Sequence, residues 1–242
     1  MAVIYAVGVG PGDPELITRK AERIISSAPV IYAPTGAADA ASYALSIVEH
    51  LLDRSKQQVL SRVFPMMKRG AELEAAWQEA AAEVISLIDG GSDVAFITIG
   101  DPCLYSTFLY IYRIIQEKRA DIPIEIIPGI SSINASAAAA GIPLGIAGER
   151  IAILPATYED EELKKTLLEF DTVVLMKVSR VFDRIYPMLV ELGLDKGSVF
   201  VRRVGSPQEE IVFDISTLVG KELDYLSMLI VKRWNLSMIK SI

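Results

Sequence analysis

Residues 2–8 (AVIYAVG) form an unbroken apolar run rich in β-favouring types. That pattern predicts a strand buried on both faces. A glycine-rich turn, Gly8-Val9-Gly10-Pro11-Gly12, follows it. Asp13 is placed to cap a helix and Pro14 to open it. Ile17, Ala21, Ile24, Ile25 and Ala28 then recur at helical spacing, which predicts a helix over 14–28. Val30-Ile31-Tyr32 reads as a short second strand. A helix over 41–53 carries Ala44, Ile47, Val48, Leu51 and Leu52 on one face, with His50 off that stripe as a solvated or capping residue. A strand near 58–63 leads into Phe64-Pro65-Met66. Leu73, Trp77, Ala80, Val84, Leu87 and Ile88 predict a helix over 71–89, stopped by Gly90-Gly91. A buried strand over 93–99 runs into Gly100-Asp101-Pro102-Cys103-Leu104-Tyr105-Ser106-Thr107 and a further helix. A strand over 124–127 runs into Pro128-Gly129-Ile130-Ser131-Ser132 and an alanine-rich helix ending at Gly141.

The first half therefore alternates strand and helix, the signature of an α/β layer. Ile142-Pro143-Leu144-Gly145 is the best linker, giving expected domains over 1–144 and 145–242. In the second half, 151–154, 172–178, 198–201 and 226–231 read as strands. Helices over 159–169 and 181–192 lie between them, with Pro187 expected to kink the second. Residues 209–213 are a candidate edge strand.

Composition narrows the function. Apolar residues make up 51% and charged residues 23%, ordinary globular usage. The net charge of −7 lacks the basic footprint of a general nucleic-acid binder. The lone Cys103 cannot form an internal disulfide, which fits a reducing cytoplasm. One histidine excludes a multi-His metal site and, with one cysteine, a Cys/His zinc cluster. The apolar N-terminus has no basic n-region and reads as a strand, not a signal peptide. No stretch of about 18 uninterrupted apolar residues suggests a membrane span. The mean hydropathy of +0.36 is high for such a chain, and a homodimer interface would account for it.

Three strands end in turn-forming loops that open helices. Glycine lets main chain approach a ligand, and helix N-termini offer free N–H groups. The first loop, GVGPGD, lacks the G-K-[ST] of a P-loop. It also misses the dinucleotide fingerprint, because Asp13 replaces the third glycine and no acid ends the second strand. Asp101 can cap a turn, and Ser131 and Ser132 can cap a helix or meet a ligand carboxylate. With His50 the only histidine, no Ser–His nucleophile pair is evident.

Taken in order, these segments resemble the tetrapyrrole methylase family of S-adenosylmethionine-dependent methyltransferases. The resemblance rests on Val7 to Thr18, Gly100-Asp101-Pro102, Ile127 to Ser132, Val173 to Lys177, and Arg202-Arg203-Val204-Gly205-Ser206-Pro207-Gln208-Glu209-Glu210. It covers nearly the whole chain. Val30 to Pro34, Phe64-Pro65-Met66, Gly100 to Thr107 and Ile153 to Thr157 look most like the members that methylate carbon 20 of precorrin-2 or cobalt-factor II in cobalamin synthesis. Uroporphyrinogen-type members commonly place an Asp after the second strand. This chain has Ala33 there, so no base is carried over. Other readings are a same-fold enzyme on another tetrapyrrole or a diphthine-type protein target, a binding module without turnover, and a nicotinamide oxidoreductase.

The resemblance implies two α/β domains with S-adenosylmethionine in the cleft between them. By matching position, Pro11, Gly100, Asp101, Leu104, Tyr105, Ser106, Ser131, Ser132, Met176, Val204 and Met228 would contact it, with Lys177 adjacent. Spacing alone would make Met176 and Met228 plain core. Cys103 is expected as a small thiol packed beside the cofactor. Gly10, Gly12, Asp13, Arg19, Arg62 and Lys68 would face the tetrapyrrole, whose carboxylates need local cations in so acidic a chain. Lys20, Arg69 and Arg180 are further candidates. The tetrapyrrole carbon would attack the sulfonium methyl directly, with no covalent enzyme intermediate, no metal and no named base. A homodimer is implied.

Overall fold

The computed structural model describes residues 1–36, 42–64, 70–156 and 158–233. Its chain divides into two compact units, Met1–Ser131 and Ser132–Ile242. The division falls earlier than the 144/145 linker, because the alanine-rich helix packs against a strand of the second sheet.

The first unit is a five-stranded parallel sheet in the order β3-β2-β4-β1-β5. Its strands are β1 (Ile4–Gly8), β2 (Val30–Thr35), β3 (Gln58–Val63), β4 (Val94–Thr98) and β5 (Ile124–Ile127). Its helices are α1 (Arg19–Ser27), α2 (Tyr43–Val48), α3 (Ala71–Asp89) and α4 (Phe108–Lys118). The unbroken apolar runs exist because both sheet faces are covered. Ile4, Ala6, Tyr32, Val94 and Phe96 pack under α3 and α4. Their strand neighbours Val7, Ile31, Ala33, Ala95 and Ile97 pack under α1 and α2. Period-two alternation thus sorts one apolar string into two cores.

Several details depart from the sequence pattern: the helix expected over 41–53 ends at Val48 and passes into a 3-10 turn at Glu49–Leu51, and the strand expected over 172–178 ends at Met176. The helix expected over 14–28 is split: Asp13 caps a short 3-10 turn at Pro14–Leu16, Ile17 is extended, and Thr18 caps α1 through the Ala21 N–H. Two cap residues five positions apart compete, and each takes its own turn. The strand expected over 30–32 runs on to Thr35 through Pro34. Proline is tolerated because β4 pairs only with Val30 to Tyr32, leaving β3 as the sole neighbour beyond.

The second unit is a mixed sheet in the order β6-β7-β10-β8-β9. Its strands are β6 (Ile151–Pro155), β7 (Thr172–Met176), β8 (Ser198–Arg202), β9 (Glu210–Val212) and β10 (Ser227–Lys232). Helices α6 (Asp160–Glu169) and α7 (Phe182–Glu191) bury Leu163, Leu167, Phe182, Ile185 and Leu189 on Val173, Leu175, Phe200 and Leu229. The expected edge strand is present as β9, and Pro187 lies inside α7. Helix α5 (Ser132–Ala140) lies against β8. The fully buried Lys232 donates to the Pro143 carbonyl at 3.0 Å, the Leu144 carbonyl at 3.3 Å and Glu149 Oε2 at 3.1 Å. Among the described residues, no helix is long and apolar enough to cross a membrane.

Candidate active site

Strands β4, β1 and β5 are neighbours, so their C-terminal loops share one edge of the parallel sheet, where ligands bind in open α/β folds. The three strand ends meet as bare backbone. A methyl group on Gly8 would lie 2.5 Å from the Gly100 carbonyl oxygen and 2.6 Å from the Gly129 nitrogen. One on Gly129 would lie 2.1 Å from that same oxygen. Only glycine permits this approach. Gly10 and Gly100 form an isolated bridge, with the Gly100 N–H donating to Gly10 O at 2.7 Å and the reverse bond at 3.4 Å. Both have left-handed φ, +79° and +68°. Pro11 is buried behind the bridge, Gly12 is half-buried, and the Asp13 carboxylate accepts from the Glu15 N–H at 2.9 Å.

Asp101 joins the second loop to the third. Its Oδ1 accepts from the Cys103 N–H at 2.8 Å and its Oδ2 from the Gly129 N–H at 3.0 Å. The Leu104 N–H returns to the Asp101 carbonyl at 3.3 Å. Cys103, expected to be packed, is exposed, because that turn directs it outward while Pro102 takes the buried position. Tyr105 has left-handed φ (51°) and is exposed. Ser106 is buried, within 3.1 Å of Thr98 Oγ1, and accepts from the Phe108 N–H at 3.1 Å. Its hydroxyl therefore ties the start of α4 to the end of β4. Ser131 and Ser132 are half-buried at the start of α5.

In the second unit, Met176 on β7 is paired with Met228 on β10, and Pro155 with Met176 on the other side. The residues beside them, Leu175 and Leu229, face the α6/α7 core, so the two methionines lie on the opposite face. Met176 is half-buried and Met228 buried. Left-handed, non-glycine backbone follows two of these strands: Lys177 after β7 (φ 59°) and Arg203 after β8 (φ 46°). Such conformations are strained and cluster at functional sites. Arg203 Nε donates to Asp224 at 2.6 Å, and Asp224 also accepts the Leu226 N–H at 2.8 Å. Burial works against the Asp224 charge, but these donors win and hold its pKa below the usual carboxylate range. Val204 is buried in the turn that follows.

The candidate cations separate by environment. Arg62 is bound by Glu83 at 2.9 Å and Glu79 at 3.6 Å, so its charge is already met within the unit. Lys20 likewise pairs with Glu125 at 2.5 Å. Arg19, in the first turn of α1, and Arg180 are exposed. Lys68, Arg69 and the Pro65-Met66 pair lie outside the described residues, as does Thr157. Tyr32 donates to Glu83 at 2.7 Å, and burial together with that acceptor pushes its pKa upward. A phenol so held is no base near neutrality. His50 is exposed, as expected. Among the described residues, no group of three His, Cys, Asp or Glu could hold a metal ion.

The sequence reading missed two features. Gly8 and Gly129 stood in the motifs but were not singled out, although a glycine ending a buried strand was the available signal. The Arg203–Asp224 pair, twenty-one residues apart, had no local signal at all.

A parallel α/β sheet whose three neighbouring strand ends meet at glycines is followed in the chain by a mixed α/β unit. Residues 3–218 match the family model of the tetrapyrrole (corrin/porphyrin) methylases, and the chain belongs to that family. It is 36% identical over 235 residues to the cobalt-precorrin-2 C(20)-methyltransferase of Salmonella typhimurium, covering 96% of this chain and 97% of that one. A probable cobalt-precorrin-2 C(20)-methyltransferase of Methanocaldococcus jannaschii is 36% identical over 237 residues, covering 96% of each. The fold also matches uroporphyrin-III C-methyl transferase from Thermus thermophilus complexed with S-adenyl homocysteine. That match has a TM-score of 0.65 at 22% identity, over 96% of this chain and 98% of the other.

Proposed function

We propose that this chain transfers a methyl group from S-adenosylmethionine to carbon 20 of the cobalt form of precorrin-2 (cobalt-precorrin-2 or cobalt-factor II), a step of cobalamin biosynthesis. The observation that carries this is the near full-length identity to two relatives of that name. The glycine edge supports it physically. A cofactor with a purine, a ribose and an amino-acid tail needs main-chain donors and acceptors at close range, and Gly8, Gly100 and Gly129 keep side chains away from that edge.

When bound, S-adenosylmethionine supplies an electrophilic methyl group on a sulfonium. The chain's own task is to bind and align. Pro11, Gly100, Asp101, Leu104, Tyr105, Ser106, Ser131 and Ser132 form the proposed cofactor contribution of the loops after β1, β4 and β5. Met176, Met228 and Val204 are proposed as cofactor contacts on the family resemblance alone. Ser106 serves through the position of the loop, since its hydroxyl is taken by Thr98 and Phe108. Alignment of this kind supplies up to about 7–11 kcal/mol of barrier lowering. Gly10, Gly12 and Asp13 lie at the same edge and are proposed to face the tetrapyrrole, with Arg19 and Arg180 as cations for its carboxylates. Tyr32, held protonated, and His50, exposed, are not proposed as bases. The protein is further proposed to be a cytoplasmic homodimer.

Incubation with S-adenosylmethionine and, in parallel, precorrin-2 and cobalt-factor II tests this by mass spectrometry. A one-methyl gain on the cobalt form, located at carbon 20, is expected. A gain on metal-free precorrin-2 alone overturns the cobalt assignment, and no gain on either overturns the C(20) reading. Light scattering tests the dimer, and a mass near 26.4 kDa overturns it.

A further inference from the structure

The Asp101 carboxylate has both oxygens committed inside the protein. Oδ1 holds the Cys103 N–H of its own turn and Oδ2 the Gly129 N–H of the next loop, twenty-eight residues away. Gly129 is also the residue whose Cα region lies against Gly8 and the Gly100 carbonyl. We infer that the Asp101 carboxylate is a positioning group, a clamp that sets the spacing of the loops after β4 and β5. The inference rests on the cofactor reading above.

Three observations carry it. A carboxylate accepts but does not donate, and the two nearest main-chain groups are both donors. Charge-assisted bonds of this kind are stronger than neutral ones. The glycine contacts bring three strand ends together by shape alone, and shape supplies no directional bond between the second and third loops. Asp101 supplies that bond. A clamp made within the protein spares the cofactor the cost of bringing the two loops together.

Asp101→Asn gives the test. Asparagine keeps one acceptor oxygen and turns an NH₂ group toward the other N–H, so one of the two bonds must break. Amide hydrogen exchange, read residue by residue in the ligand-free protein, is expected to lose protection at Gly129 or Cys103. Affinity for S-adenosylhomocysteine is expected to fall roughly ten- to hundredfold, with tetrapyrrole half-saturation unchanged. A purely structural role would lower melting temperature and active fraction without moving the cofactor constant of the folded protein. If Asp101→Asn does not fold, Asp101→Glu is read by the same criteria, since its longer arm cannot meet both donors in the same geometry. Unchanged amide protection in the ligand-free variant overturns the clamp, and so does unchanged cofactor affinity. Failure of the unmodified protein to bind S-adenosylhomocysteine would instead overturn the cofactor reading, while the exchange measurement would still test the clamp.

Discussion

Gly8 and Gly129 lie backbone against backbone: a Cβ on Gly129 would sit 2.8 Å from the Gly8 Cα and 2.1 Å from the Gly100 oxygen. Neither obstacle is a flexible side chain, so the strand ends themselves must move. Gly129→Ala is expected to cost about 1–3 kcal/mol in urea unfolding and to abolish S-adenosylhomocysteine binding in titration calorimetry. Gly148→Ala, where a methyl meets nothing within 4 Å, is the control and should change neither. Normal cofactor binding by the Gly129 variant would remove the glycine edge from the site.

Met176 and Met228 share a register position but not an environment. Met228 is buried, so Met228→Ala should cost about 2–5 kcal/mol. Met176 is half-buried, so Met176→Ala should cost less in stability and more in cofactor affinity. Because the pair is in contact range across the strands, the double variant should deviate from additivity by about 0.5 kcal/mol or more. Strict additivity, with an unaltered cofactor constant, would return both residues to the plain core that spacing alone suggested.

The Asp224 carboxylate, held low by Arg203 and the Leu226 N–H, gives a pH signature. Its folded pKa lies below its unfolded one, so its contribution to stability is complete above the ordinary carboxylate value. That contribution is lost as pH falls below about 4. Asp224→Asn should lower stability at pH 7 and flatten the acid limb of the stability curve. Parallel acid limbs for the two proteins would contradict the assignment.

Arg19 is exposed in the first turn of α1, close in sequence to the Gly10–Asp13 loop. Arg19→Ala is expected to raise the tetrapyrrole half-saturation without altering cofactor affinity. Equal losses for both ligands would count against a role in holding substrate.

Lys232 is wholly buried, with the Pro143 and Leu144 carbonyls and Glu149 among its partners. Lys232→Met keeps the length and removes the charge, taking the buried ammonium away from Glu149 and from the Pro143 and Leu144 carbonyls. A loss of about 3 kcal/mol is expected in denaturant melts. A neutral result would mean that the segment from Pro143 to Glu149 is held by other bonds, such as that from Thr172 Oγ1 to the Leu144 carbonyl at 2.6 Å.

What could be read from the chain was whatever is local. Strands 58–63 and 124–127 and the helix over 71–89 appear where their periodicity put them, because hydrophobic spacing reports directly on which side faces a core. Asp13 and Thr18 were both legible as caps, but that each would cap its own turn and split one helix in two was not. Pro34 inside β2 could be accepted only once β4 was known to stop pairing at Tyr32. Strand order was invisible, and with it the meeting of Gly8, Gly100 and Gly129. Of the candidate cations, Arg62 shows the limit most plainly: nothing in its neighbourhood along the chain announces Glu83, which comes from α3. The loops after β1, β4 and β5 were legible as motifs, but the bond from the Gly129 N–H to Asp101 was a matter of three-dimensional contact.

Cys103 is the only thiol in the chain, and it projects into solvent from the turn whose N–H Asp101 holds. A fluorophore or spin label attached there would need no background cysteine removed. The molecule therefore carries, on the loop proposed to hold the cofactor, a built-in address for a single reporter.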